Sequence, residues 1–294
     1  MEFIDEMFDQ SDTSNFAGSI RCTALDEQRF AGVALEMDPR NRIFATLPAI
    51  LLDTTVPEGR EATLDFAHFG NGSTVRSEFM FFNVATTAIR PNLYFYDTKG
   101  RMIAPEAVVD VEGDLKVQAD GALSMQTELG ILEELTISTH GRGPVVTGSV
   151  RVISDGPIGA IQRFSIPTIG VAGGGPGPTV RDSLSPVRTH SDGLRTAVAI
   201  RNLGDNTTVV TCELMRRGQV LDTAEIPLAI NAQAASFIDE MFSRADISEF
   251  EGSVRCSAPP EDLFTGVALE IDTANRIFSM LPVVRVAGQT TPQN

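Results

Sequence analysis

The chain has 294 residues, 42% of them hydrophobic, and carries 23 basic against 39 acidic side chains for a formal net charge of −16. That length holds two ordinary domains and a fragment of a third, each with enough apolar sequence to bury a core. The acidic excess repels phosphate backbones and anionic lipid, arguing against nucleic acid as a partner, and no apolar run reaches the roughly 18 residues that bilayer insertion requires.

In chain order, the first element is half of a repeat. Residues 3–50 recur without a gap at 237–284, with 28 of 48 positions identical. Phe3-Ile4-Asp5-Glu6-Met7-Phe8 returns as Phe237-Ile238-Asp239-Glu240-Met241-Phe242, and Asn41-Arg42-Ile43-Phe44 as Asn275-Arg276-Ile277-Phe278. A repeat this strong decides the architecture before local signals are read. Residues 1–50 form the C-terminal half of a β-sandwich unit, and no complementary first half follows residue 286. A sandwich lacking its first strands leaves an inner face and edges uncovered, so either the chain is a fragment of a longer array or 1–50 borrows strands from another copy. The N-terminus, Met1-Glu2-Phe3-Ile4-Asp5-Glu6, has neither the basic nor the apolar region of a secretion signal.

Thr54-Thr55-Val56-Pro57-Glu58-Gly59 reads as a linker. A complete unit then spans 62–172. Its Val75–Asn83 run alternates apolar and polar residues and lines up with Leu194–Asn202 at a spacing of 119, as does Leu93-Tyr94-Phe95 with Cys212-Glu213-Leu214. Gly148-Ser149-Val150-Arg151-Val152 matches both Gly252-Ser253-Val254-Arg255-Cys256 and Gly18-Ser19-Ile20-Arg21-Cys22. Gly173-Gly174-Gly175-Pro176-Gly177-Pro178 marks 173–183 as a linker by composition. A second complete unit follows at 184–286, and 287–294 reads as a tail. Short, alternating, β-branched and aromatic runs between Gly, Asn, Asp and Pro predict an all-β chain of tandem antiparallel β-sandwich domains. The one helical period lies at 234–242, where Phe237, Ile238, Met241 and Phe242 fit a short turn closing the end of a sandwich.

Phe66-Ala67-His68-Phe69-Gly70-Asn71-Gly72, the strand ending Asn83-Val84, Gly148–Val152 and Phe164-Ser165-Ile166-Pro167 together resemble the tandem immunoglobulin- or fibronectin-like repeats of large secreted or surface bacterial proteins. The segments 237–242, 266–269 and 281–284 are similar to the alternating partner repeat of such proteins. The resemblance covers most of the chain, carries no catalytic residues, and implies an extracellular, non-enzymatic module whose partners are its neighbouring repeats.

Cys212 shares an inward strand face with Val210 and Leu214, and Cys256 shares one with Val254, which makes Cys212–Cys256 a disulfide candidate and leaves Cys22 unpaired. Three buried free thiols are the alternative. His68, His140 and His190 lack the order of a hydrolytic triad and the spacing of a metal site. Asp110-Val111-Glu112-Gly113-Asp114 and the acidic pairs Asp5-Glu6 and Asp239-Glu240 supply too few oxygens for calcium. No cofactor or metal is expected. If Phe79, Phe81, Leu93 and Phe95 point inward, then Met80, Phe82, Tyr94 and Tyr96 point outward, and their counterparts Ala199, Arg201, Glu213 and Met215 form a more polar surface. The expected function is a structural or adhesive spacer. The alternative is a ligand-binding module gripping a surface glycan or protein through Met80, Phe82, Tyr94 and Tyr96.

Overall fold

Along Val75–Asn83 the odd-numbered residues are buried and the even-numbered ones lie wholly or partly open, the period-two signature of a strand with one face on a core. That pattern governs most of the molecule. The computed structural model describes residues 61–274, 277–281 and 283–286, the strands within 33–38 and 43–48, and single positions 7, 20 and 22. Met1–Gly32 and Val33–Asn294 are separate compact units. Of the first, the described Met7, Ile20 and Cys22 are exposed. The linker and tail read at 54–59 and 287–294, and most of the half domain 1–50, lie outside the described residues.

From the half repeat come β1 (Val33–Asp38) and β2 (Ile43–Pro48), an antiparallel hairpin. The first complete domain contains β3 (Ala62–Gly72), β4 (Val75–Asn83), β5 (Pro91–Asp97), β6 (Met102–Ile103), β7 (Leu115–Val117), β8 (Leu123–Met125), β9 (Glu134–Ser138), β10 (Val146–Ser154), β11 (Ile158–Ile166) and β12 (Gly170–Gly174). The second contains β13 (Asp182–Thr189), β14 (Leu194–Asn202), β15 (Thr208–Arg216), β16 (Gln219–Leu228), β17 (Gln233–Phe237), the single-turn helix α1 (Ile238–Met241), β18 (Phe250–Ser257), β19 (Phe264–Asp272), β20 (Ile277–Leu281) and β21 (Val284–Arg285).

Each domain is two sheets face to face. In the first, β3-β10-β5-β8-β7 forms one layer and β12-β11-β4-β9 the other, joined at the β3–β4 hairpin. In the second, the layers are β21-β13-β18-β15-β16 and β17-β14-β19-β20. The first core is aromatic, with Phe79 of one sheet meeting Phe95 of the other edge-on at 6.4 Å and Phe66 beside Phe79 at 5.1 Å. The second is mainly aliphatic, around Val198, Ile200, Val210 and Leu214, with Phe250 beside them, and α1 plugs its end with Ile238, followed by Phe242, as the helical period at 234–242 predicts. In the first domain β4 pairs with β9 and β5 with β10, as in the second β14 pairs with β17 and β15 with β18, a Greek-key core. The opening strands β3 and β13, however, pair with β10 and β18, and β11 and β19 pair with β4 and β14, so the end strands exchange sheets relative to the immunoglobulin order.

The repeats agree to the residue. Asp38 faces Ile43 and Met37 faces Phe44 in β1–β2, as Asp272 faces Ile277 and Ile271 faces Phe278 in β19–β20. Asn83 ends β4 by donating to the carbonyls of Thr87 and Leu129 and accepting from the Ala85 amide, while Asn202 donates to Asn206 O, Leu228 O and Ala229 O and accepts from Gly204 N. The glycine of each Gly-Ser-Val-Arg motif has one cause. A Cβ at Gly148 would stand 1.8 Å from Tyr96 O, and one at Gly252 would stand 2.3 Å from Met215 O, the equivalent atom.

Candidate functional site: the junction between domains

The expected linker at 173–183 is not a tether. Gly173 and Gly174 are the last residues of β12, Gly177 N donates to Asp65 O at 2.9 Å, and Val180 bridges to Phe264. These glycines permit contact: a Cβ at Gly174 would meet Met280 Cε at 2.9 Å, and one at Gly177 would meet Thr265 Oγ1 at 2.2 Å. The domains are therefore packed, and the strands run 62–174 and 182–285, slightly wider than the sequence boundaries.

The packing joins the outer face of β14, β19 and β20 to the side of the first domain formed by β3, β12 and the end of β11. A third apolar cluster lies there, with Ala67, Val75, Phe164 and Ala172 from the first domain against Ala199, Val267, Leu269, Phe278 and Met280 from the second. Phe164 and Phe278 meet edge-on at 5.5 Å. This explains why β19 is buried on both faces along most of its length, where a sandwich strand ordinarily alternates. Farther along, Gln233 N donates to Thr98 O at 3.3 Å, and a Cβ at Gly100, whose φ is +78°, would lie 2.0 Å from Ile230 O.

One charged side chain is seated in this contact. Arg201, on β14, is completely buried. Its Nη1 donates to Asp65 of β3 and, at 3.3 Å, to Val150 O; its Nη2 donates to Asn231 Oδ1 at 3.3 Å. The guanidinium lies over the Tyr96 ring, 4.9 Å from its centroid, an arrangement that favours a cation. Arg151 Nε donates to the same Asp65 carboxylate at 3.0 Å. Burial pulls the Arg201 pKa down to about 10, against the attraction of Asp65, so the group stays charged at neutral pH. Stripping either partner from a buried pair leaves an uncompensated charge, at a cost of about 3–5 kcal/mol. Docking therefore demands an acid where Arg201 arrives.

The four residues read as one outward patch are not brought together. Because Phe79 and Phe95 meet across the core, Met80 and Phe82 leave one outer face of the first domain while Tyr94 and Tyr96 leave the other. Met80 and Phe82 are half-buried on β4, and Tyr96 is buried beneath Arg201. Tyr94 is half-buried and donates its hydroxyl to Asp120 Oδ2 at 2.9 Å; burial and that carboxylate push its pKa up to about 12. The reading of Ala199 and Arg201 as polar surface also reverses, since they are 1% and 0% exposed. Sequence reasoning missed Arg201 and Asp65. The available signal was the small outward row Ala197, Ala199 on β14, which lets another backbone come close.

Cys212 and Cys256 stand directly opposite on β15 and β18 and are joined as a disulfide facing the second core. His68 sits at the rim of the junction, its ring 5.2 Å from Phe164 and its Nδ1 accepting from Gln233 Nε2 at 3.2 Å; burial pulls its pKa down to about 4. His140 Nε2 donates to Ala107 O, and His190 Nδ1 donates to Glu249, a carboxylate held at about 2 by the Ser191 hydroxyl and amide and by His190. Asp110 pairs with Arg142, and Asp239 and Glu240 pair with Arg195. Among the described residues, no three His, Cys, Asp or Glu side chains group as metal ligands. Comparison with protein-family models, with curated proteins and with solved structures finds no match to this chain.

Proposed function

We propose that this chain is a non-enzymatic structural repeat module, a spacer in a secreted or cell-surface protein, whose immediate partners are its own neighbouring repeats. The observation that carries the reading is the junction. Two domains joined by a glycine-rich segment would ordinarily bend, yet here the segment is stitched to β3 and a buried Arg201–Asp65 contact sets the angle. A fixed angle passed from repeat to repeat is what a force-transmitting or distance-setting array needs and what an isolated recognition domain does not. The Cys212–Cys256 disulfide supports an oxidising compartment, since such bonds are rare in reducing cytosol.

Small-angle scattering on the full chain tests the rigidity: the profile fits one interdomain orientation, whereas a broad ensemble of angles overturns the spacer reading. Protease applied to intact source cells tests the location, with loss of the protein expected and complete protection contradicting surface display. A pull-down on insoluble polysaccharides and whole cells tests the adhesive alternative; specific retention would replace the spacer by a binding module.

A further inference from the structure

The repeat register transfers the junction onto two further surfaces of the chain, one on each domain. β10 maps to β18 by adding 104, β4 to β14 and β5 to β15 by adding 119, and β3 to β13 by adding 119 as far as the β-bulge that follows Phe66 and 118 beyond it. The socket residue Asp65 thus corresponds to Leu184, Ala67 to Pro186 and Tyr96 to Met215, while the plug residues Ala199 and Arg201 correspond to Met80 and Phe82. Even the flanking segment is reproduced: β21 pairs with β13 at Leu184, as Gly177 bonds to Asp65. Leu184 and Val284 are 37% and 57% exposed, Pro186 is exposed, and Met80, Phe82 and Met215 are half-buried.

The substitutions match across the two surfaces. Within the chain, Arg201 meets Asp65 under Tyr96. At the equivalent positions the plug is Phe82 and the socket is Leu184 with Met215, so the central charged pair is replaced by apolar side chains on both sides at once. Arg255, the counterpart of Arg151, stands beside Leu184 and is paired within its own domain, its Nε 3.0 Å from Asp182 Oδ1 and its Nη1 3.8 Å from Glu213, so its charge is already met at the edge of the socket. Independent surface drift would not keep both halves complementary.

We propose that the side of the second domain around Leu184, Pro186, Met215 and Val284 docks a second copy of this chain, which presents Met80 and Phe82 from β4 in the geometry that Ala199 and Arg201 use internally. Plug and socket lie on different surfaces, so the contact is head-to-tail and extends into an open series instead of closing as a symmetric dimer. This goes beyond the spacer reading, which concerns only the angle between the two domains of one chain.

Sedimentation velocity of the full chain across a concentration series tests it, with circular dichroism verifying the fold of each variant. The wild type shows mass rising through dimer, trimer and higher species. Phe82→Arg and Leu184→Asp each weaken association at least tenfold, because each places a charge against an apolar partner. Mixed in equal amounts they assemble again: the arginine that replaces Phe82 in one variant meets the aspartate that replaces Leu184 in the other, as Arg201 meets Asp65, and the unaltered Phe82 and Leu184 meet as in the wild type. A wild type that stays monomeric at every attainable concentration overturns the proposal, as does assembly unaffected by both variants or a folded mixture that fails to recover. Should either variant not fold, Met80→Glu and Pro186→Glu carry the same test of loss. Scattering on monomeric Phe82→Arg reads the interdomain angle separately, so rigidity and assembly fail independently.

Discussion

Removing the charge from Arg201 and from its acid should cost far more singly than together. In Arg201→Phe, Asp65 loses its closest partner but keeps Arg151 Nε at 3.0 Å, with that arginine partly open to water. The low end of the buried-pair range applies, about 3 kcal/mol. In Asp65→Leu the stranded group is Arg201, completely buried and left with Val150 O, Asn231 Oδ1 and the Tyr96 ring but no opposite charge, so the cost rises to about 4 kcal/mol. The double variant sets Phe against Leu beside Tyr96, the same chemistry as Phe82 with Leu184, and should lose about 1 kcal/mol, since a buried pair exchanged for apolar side chains is often close to neutral. Undocking caps every one of these costs, because a domain separates before it accepts a larger penalty. Both singles should therefore also show cleavage between Gly173 and Thr179, which the parent and the double variant resist. Urea unfolding of the full chain, followed domain by domain, measures the cycle. Effects that add within about 0.5 kcal/mol would refute the reasoning, since independent sites behave that way; so would a larger loss for Arg201→Phe than for Asp65→Leu.

Three further outcomes follow from single features. Replacing Cys212 and Cys256 together by Ala opens a loop of sequence separation 44 and should cost about 4 kcal/mol in the second domain on the loop-entropy account; before reduction the denatured parent should show one reactive thiol, Cys22, and afterwards three. Gly148→Ala drives a methyl group onto Tyr96 O and should lower the first domain's stability by about 2–3 kcal/mol, read as its thermal midpoint, with Gly252→Ala doing the same to the second. His68 has a folded pKa of about 4 against 6.5 unfolded, so the unfolded chain binds the proton first and stability falls as pH drops from 6.5 towards 4. With part of the ring at the surface the loss is about 2 kcal/mol, and His68→Gln should flatten that slope in a pH series of melting curves; an unchanged slope would place the titration elsewhere.

What sequence could reveal here is divided by the two faces of a strand. Inward faces were legible because the core imposes period two: Phe79 and Phe81, Leu93 and Phe95, and Val210, Cys212 and Leu214 all point where alternation places them, and the inward reading put both cysteines in one core. The closing turn at 238–241 follows from the same local rules. Outward faces were not legible, because alternation says only that a residue leaves the core and nothing about what waits outside. Tyr96 meets a guanidinium, Met80 does not, and no local pattern separates them. The segment between the domains is ambiguous for a related reason. Gly173-Gly174-Gly175-Pro176-Gly177 has the composition of a flexible tether, but glycine equally serves where a neighbouring domain leaves no room for Cβ, and only the neighbour tells the two apart.

The internal repeat narrows that gap in a way one domain alone would not. Where the copies agree, as at Asn83 and Asn202 or Gly148 and Gly252, the agreement marks what the sandwich requires of itself: a strand end held by one amide, a backbone approach too close for a side chain. Where they differ, the difference reports what lies outside each copy. Asp65 and Leu184 occupy equivalent sites in β3 and β13 with equivalent backbone partners, so the sandwich accepts either, and the choice between acid and leucine is made by the surface that arrives. Arg201 arrives at one. The change from Arg201 on β14 to Phe82 at the equivalent site of β4 is the complementary half of that choice, a polar pair where the two domains meet and apolar side chains at the equivalent positions.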